Sequence, residues 1–293
     1  MGGDLEKIKT VGRYMIEVWK SSGMNMDRVR FLWASEEFSK HGDEYWARML
    51  DISTKNTLSR ITRCTQIMGR GDKGLSSSQI IYPCMQAADI FFLGVDTCQL
   101  GLDQRKINML AREYADNVGL PKPTVLSHPM VPGLKKGQEK MSKSIPDTAI
   151  FMEDSAEEVE RKIRGAFCPG PEDFNKLVAE KLAKVSTSSS SDHESSSEQV
   201  RIEAENLANP VLAYFRLIIA DSISGPLVVG EHSFPTFADL REAYLDGRVD
   251  PVTLKQSLTS YINLLLDPVR HHFEHNAHAR QLRHDVLGYD VSR

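Results

Sequence analysis

An α/β fold, with a parallel sheet in its first half and helices alone in its second, is what this 293-residue sequence predicts. Three observations carry that prediction. Through residue 130, amphipathic helical stretches alternate with short apolar runs, the pattern of strands covered by helices. After residue 150 the apolar spacing is helical throughout. Between the halves lies the basic loop Lys140-Met141-Ser142-Lys143-Ser144, preceded by Gly133 and Gly137, which leave the segment free to move.

The elements follow in order. Ile8, Val11, Tyr14, Met15, Val18 and Trp19 recur at helical spacing over residues 5–22, and Gly23 closes that helix. Val29-Arg30-Phe31-Leu32-Trp33 reads as a short strand, and Ser35-Glu36-Glu37 opens a second helix. Helical pattern continues over 45–54 and 57–68. Ser76-Ser77-Ser78 caps a helix running through Ile80, Ile81 and Met85 toward Ala88. Phe91–Val95 reads as a buried strand, Asp103 leads into a helix ending near Ala115, and Pro123–Leu126 reads as a strand. Beyond the basic loop, a charged helix spans Ala156–Phe167 and Pro169-Gly170-Pro171 breaks the chain. The stretch 186–197 holds eight serines and nothing to build a core, so it reads as a solvated insertion. From Glu203 onward the reading is helical. Thr236 and Asp239 form a capping box, Gly247 ends that helix, and Asp250-Pro251 opens the last long one. Its apolar face is Leu254, Leu258, Tyr261, Leu265, Val269 and Phe273, and Pro268 is expected to kink it.

Composition narrows the function classes. With 36 basic against 40 acidic residues the net charge is −4, so any nucleic-acid contact must use a local patch. Cys64, Cys84, Cys98 and Cys168 show no CxxC spacing, which predicts a reduced protein without a cysteine metal site. The histidines of the C-terminal tail (His271, His272, His275, His278, His284) lack a cysteine or carboxylate frame for zinc. No run is long and apolar enough to span a bilayer, and a cytoplasmic protein is expected.

Two constellations carry chemistry. Lys140 and Lys143 with the hydroxyls beside them make an anion grip suited to phosphates that are held through a transition state and then released. Tyr82, Gln86 and Asp89 stand at i, i+4 and i+7, so one helix face presents a phenol, an amide and a carboxylate. From the residues alone, that stripe is either a helix edge with internally paired polar groups or a set that a polar ligand completes. Gly101-Leu102-Asp103-Gln104-Arg105 lies between a strand and a helix, the crevice position where α/β sheets bind ligands.

With these motifs in this order, the chain resembles the tyrosyl-tRNA synthetases of the archaeal and eukaryotic cytosolic kind. The resemblance rests on Tyr82-x-x-x-Gln86-x-x-Asp89, Gly101-x-Asp103-Gln104-Arg105-Lys106, Pro129-Met130-Val131-Pro132-Gly133-Leu134 and the KMSKS signature Lys140–Ser144. It implies a Rossmann-like catalytic domain over residues 1–150, then a helical anticodon-binding domain over 151–293. The implied activity is tyrosine–tRNA ligation, with ATP as substrate, Mg²⁺ bound with it, and L-tyrosine and tRNA(Tyr) as partners of a homodimer. Carried over position by position, Tyr82 and Gln86 hold the tyrosine ammonium, Asp89 its phenol and Gln104 its carboxyl end. Gly101 and Asp103 meet the ribose. Lys140 and Lys143, with Met141, Ser142 and Ser144, bind the triphosphate.

The family's HIGH motif has no counterpart. No histidine precedes His41, and His41-Gly42-Asp43-Glu44 stands in a different context. Met1-Gly2-Gly3 aligns inside the family's catalytic domain, so the expectation is a sheet incomplete at its N-terminal side. The alternative this raises is an inactive synthetase-like binding or regulatory protein. The dimer interface is expected among Trp46, Met49, Leu50, Leu58, Ile61 and Ile67.

Overall fold

Asp4, Ser76, Ser155, Asn209, Thr236 and Asp250 each place a side-chain oxygen on free backbone N–H groups at a helix start. Such caps satisfy donors that the helix itself leaves unpaired, and they fix where each helix begins. The computed structural model describes residues 3–65, 74–141, 145–187 and 197–289. By packing the chain divides into two units, Arg30–Met130 and Met1–Val29 with Val131–Arg293.

In the Arg30–Met130 unit, helices α2 (Ala34–Thr54), α3 (Leu58–Thr65), α4 (Ser77–Phe92) and α5 (Arg105–Val118) accompany strands β1 (Thr97–Gly101) and β2 (Thr124–His128). The strands run parallel with Thr97 opposite Thr124 and Gly101 opposite His128, so both carboxyl ends lie at one edge. The crossover between them is α5, the connection a parallel pair requires. Tyr45, Met49, Ile52, Ile61, Cys84, Ala87, Ala88, Ile90, Ile107, Leu110 and Tyr114 form the core. Helix α2 departs from helical geometry at His41 (φ −130°, ψ 31°).

In the other unit, α1 (Leu5–Ser21) packs on two late helices, α12 (Pro251–His275) and α13 (Ala277–Leu287). Tyr14 and Val18 join Val269, Phe273, Ala279 and Leu282 in one cluster. The His272 ring nitrogen lies 2.8 Å from Glu17, and Tyr14 donates to Glu153 at 2.5 Å. A larger core joins α6 (Ala156–Arg164), α7 (Pro171–Thr187), α8 (Ser197–Ala208), α9 (Pro210–Tyr214), α11 (Phe237–Leu245) and α12. A π-turn, Phe215–Ile219, and the short α10 (Ala220–Ser222) follow α9.

Several expectations change. Val29–Trp33 is extended at both ends yet pairs with no strand among the described residues, and an extended run becomes a strand only when a neighbour supplies the ladder. Phe91 and Phe92 belong to the last turn of α4, Gly94 (φ 61°) turns the chain just beyond the Leu93 cap, and the strand begins at Thr97. A continuous apolar run fits a buried helix end as well as a strand, so periodicity alone misassigned it. The C-terminal half is not wholly helical, because β3 (Leu227–Val229) and β4 (His232–Phe234) form a hairpin. Helix α12 continues past Pro268, and its buried face adds Ile262 and Leu266 to the expected Leu254, Leu258, Val269 and Phe273, with Tyr261 and Leu265 partly buried against the same core. Pro171 starts α7. The units by packing also part differently from the division expected at residue 150, since α1 and residues 131–150 go with the C-terminal helices. Residues 188–196 of the serine stretch, and Ile67, lie outside the described residues.

Lys162 is 3% exposed and places Nζ 2.8 and 2.6 Å from the two oxygens of Asp154, over the ring of Phe151. Removing one partner leaves a buried charge without its counter-ion. Asp154→Ala is expected to cost about 3–5 kcal/mol in urea unfolding, and Asp154→Leu with Lys162→Met to recover most of that loss.

Candidate functional site

Helix α4 begins with a capping box between Ser76 and Gln79, which sets its first turn and hence its rotational phase. Pro83, Cys84, Ala87, Ala88 and Ile90 are buried, so the face bearing Tyr82, Gln86 and Asp89 turns the other way. The sequence-predicted stripe therefore exists as a stripe. Opposite it stands the single 3-10 turn Leu102–Gln104 after β1, with Gly101 the last residue of the strand itself.

A chain of polar contacts joins the two segments. Gln86 Nε2 donates to Gln104 Oε1 at 3.2 Å, and Gln104 Nε2 donates to Asp103 Oδ2 at 3.1 Å. Each amide thereby has its orientation set by the next, and the carboxylate terminates the chain as an acceptor. Gly101 is a close-approach glycine. A Cβ there would stand 2.5 Å from Asp103 Oδ1 and 3.5 Å from Met130 Sδ. The Asp103 carboxylate thus lies over the strand end, at the parallel-sheet edge where α/β folds receive ligands.

Asp89 has a different environment. Tyr45 on α2 donates its phenol proton to Asp89 Oδ1 at 2.9 Å. Protein packed behind the carboxyl withholds solvent and raises its pKa above the ordinary value, while the Tyr45 hydrogen bond pulls the other way. Tyr45 itself is pushed far up, first by burial and then by the Asp89 charge. Sequence reading placed Tyr45 only within a helical pattern. A phenol among the apolar residues of α2 was the available signal, but its partner lies 44 positions away.

The basic loop belongs to the other unit. Gly133 N–H donates to Gln138 O at 3.1 Å, and Lys135 N–H donates to Gln138 Oε1 at 3.2 Å. A Cβ on Gly133 would stand 2.7 Å from Gln138 Oε1 and 3.1 Å from Lys140 O, and Gly137 takes φ 74°. The two glycines are required by a tight turn, which corrects their reading as sources of mobility. Leu134 anchors the base, its N–H donating to Thr148 O at 2.9 Å and its carbonyl accepting from Phe167 N–H at 2.7 Å. Lys140 is exposed at the tip. Ser142, Lys143 and Ser144 lie outside the described residues.

Of the residues expected at a dimer interface, Met49 and Ile61 are buried in the core, whereas Trp46, Leu50 and Leu58 are 41%, 55% and 64% exposed. Among the described residues no group of three or more His, Cys, Asp or Glu gathers to hold a metal ion, and no helix is long and apolar enough to cross a membrane.

Known proteins match along the whole chain. The family profile described as "tRNA synthetases class I (W and Y)" matches residues 2–216. Tyrosine–tRNA ligase 1, cytoplasmic, of Arabidopsis thaliana is 44% identical over 301 residues, covering 100% of this chain and 70% of that protein. Tyrosine–tRNA ligase 2, cytoplasmic, of the same organism is 44% identical over 300 residues but is covered only to 36%. The structure of Leishmania major tyrosyl-tRNA synthetase in complex with tyrosinol superposes with a TM-score of 0.83 at 45% identity, over 99% of this chain and 51% of that one. The chain thus spans about half the length of that solved relative.

The Asp89 carboxyl, open to solvent on one side and backed by protein on the other, yields a prediction. Its folded pKa lies above the unfolded value, so ionisation opposes folding. Asp89→Asn keeps an acceptor for Tyr45 and is expected to raise the melting temperature of the ligand-free protein at pH 7. The gain disappears as pH falls below about 3.9, where the unfolded carboxyl is also protonated. Calorimetric scans of both proteins across pH measure this.

Proposed function

This chain belongs to the class I tRNA synthetases of the tryptophan and tyrosine kind, and on that premise we propose that it acts as a tyrosine–tRNA ligase. The observation that carries the amino-acid choice is the arrangement around α4. Gln86, Gln104 and Asp103 form an oriented polar chain, and Asp89 presents a carboxylate on the same helix face. A carboxylate suits a phenol, which donates to it, and offers nothing to the bare ring of phenylalanine.

The proposed reaction has two steps. An oxygen of the tyrosine carboxylate attacks the α-phosphorus of ATP in line, the α–β phosphoanhydride bond breaks, and pyrophosphate carries off the electron pair. A terminal ribose hydroxyl of tRNA(Tyr) then attacks the acyl carbon of tyrosyl-adenylate, AMP leaves, and the hydroxyl proton passes to the leaving phosphate or solvent. Tyr82 and Gln86 hold the ammonium group, Asp89 the phenol and Gln104 the carboxyl end. Asp103 accepts from the ribose hydroxyls above Gly101. Lys140 and Lys143, with the Met141, Ser142 and Ser144 positions of the same loop, neutralise charge on the phosphates. Mg²⁺ arrives with ATP as part of that substrate. Catalysis on this reading is positioning plus electrostatic stabilisation, without a covalent enzyme intermediate.

The exposed Trp46, Leu50 and Leu58 support a homodimer formed along α2 and α3, since a stable isologous interface needs an apolar centre. A cytoplasmic location accords with the two plant relatives, both of which are named as cytoplasmic ligases.

Tyrosine-dependent ATP–pyrophosphate exchange tests the proposal. Exchange that proceeds equally with phenylalanine, or not at all, overturns it. Discrimination of about 10⁵ against phenylalanine is the known figure for tyrosyl-tRNA synthetase rather than one obtained from this geometry. Asp89→Ala is expected to reduce the tyrosine preference about 10- to 100-fold, the worth of one charged hydrogen bond. Lys140→Ala is expected to lower kcat by about 10²-fold or more while leaving tyrosine affinity unchanged.

A further inference from the structure

The Asp89 carboxylate has two oxygens with unequal duties. Oδ1 accepts the Tyr45 phenol, and among the described residues Oδ2 carries no hydrogen bond. Tyr45 has little freedom to leave this position. It is 1% exposed, its ring centroid lies 4.3 Å from Phe38 and 5.2 Å from Phe92, and its oxygen also lies 3.3 Å from the Met85 carbonyl. Phe38 reaches Tyr45 across the departure from helical geometry at His41, although seven positions separate them. The break in α2 therefore sits between two rings that meet beside Asp89.

We propose that Tyr45 is a positioning residue of the amino-acid site, holding Asp89 Oδ1 so that Oδ2 is left to accept the phenol proton of the bound amino acid. This rests on the reading of Asp89 as the phenol acceptor and adds what makes that acceptor selective. A carboxylate free to rotate would turn toward solvent and lose its preference for a donor at one fixed point. A carboxylate pinned at one oxygen presents a single acceptor direction. Burial together with the Asp89 charge keeps Tyr45 protonated, so it remains a donor throughout the pH range in which the enzyme folds.

Few other groups bear on the pair. Tyr82 on α4 lies near Tyr45 and is neutral while its phenol keeps its proton, and the His41 ring centroid on α2 stands 6.3 Å from that of Phe92. From α3, Cys64 lies close enough to Cys84 to affect its titration, on the buried side of α4.

Tyr45→Phe removes one hydroxyl and keeps the ring packing. The Asp89 carboxyl is followed in the full chain by carbon-13 NMR of labelled aspartate, its signal assigned through Asp89→Asn. Losing a hydrogen bond to the charged form disfavours that form, so the titration midpoint is expected to rise by about one pH unit. Tyrosine affinity by calorimetry is expected to fall about tenfold at pH 7, while phenylalanine affinity stays level. Phe38→Leu serves as packing control and is expected to lower the unfolding temperature without moving the midpoint. An unmoved midpoint in Tyr45→Phe overturns the inference, and so does a moved midpoint with an unchanged tyrosine-to-phenylalanine affinity ratio. If Asp89→Ala binds both amino acids as the wild type does, the site reading itself has failed and this inference falls with it.

Discussion

Cys84, Ala87 and Ala88 line the buried face of α4, and their small volume sets how closely α2, α3 and α5 approach it. That close approach is the constraint on which the Arg30–Met130 unit depends. It brings Tyr45 within hydrogen-bond range of Asp89 from one side and Gln104 within range of Gln86 from another. Enlarging any of the three small side chains would force the helices apart, because a close-packed core accommodates added volume only by shifting backbone. The same packing fixes the phase of α4, and with it the direction in which the polar stripe points.

A site built this way carries a cost in the folded protein. Protein on one side of Asp89 works against its charged form, yet on the proposed reading the charged form is the one that accepts the substrate phenol's hydrogen bond. Tyr45 offsets part of that cost while also restricting the rotamer. Under the proposed function, such a group weakens the empty fold and becomes favourable when a complementary ligand arrives, a common pattern at functional sites. The lysine-bearing loop is arranged otherwise. Its base is secured through Leu134 and Thr148, its turn is closed through Gly133 and Gln138, and Lys140 stays at the exposed tip. Rigid ends with an exposed charged tip suit a group that meets phosphate and then lets it go.

Much of this was legible in the sequence, for identifiable reasons. Helix starts were readable because capping residues act over three or four positions, as at Ser76, Thr236 and Asp250. The Tyr82–Gln86–Asp89 stripe was readable because helical geometry alone puts those positions on one face. Strand assignments fared worse: Val29–Trp33 found no ladder partner among the described residues, and Phe91-Phe92 stayed helical. A strand is a property of two segments, and a local apolar run carries no information about its partner. The β3–β4 hairpin, three residues per strand, is too short to leave a periodic signature.

The sequence by itself determined the family and the chemical inventory, because motif spacing and residue type survive without coordinates: two lysines in one loop, a phenol–amide–carboxylate stripe, and an aspartate beside a glycine. Tertiary structure alone decided which groups engage one another. Tyr45 meets Asp89 across 44 positions, Asp103 folds over the glycine that precedes it, and Gln104 turns its amide to Gln86. Such pairings depend on how closely helices and strands pack, and that distance is set by buried side chains far along the chain from the groups they bring together.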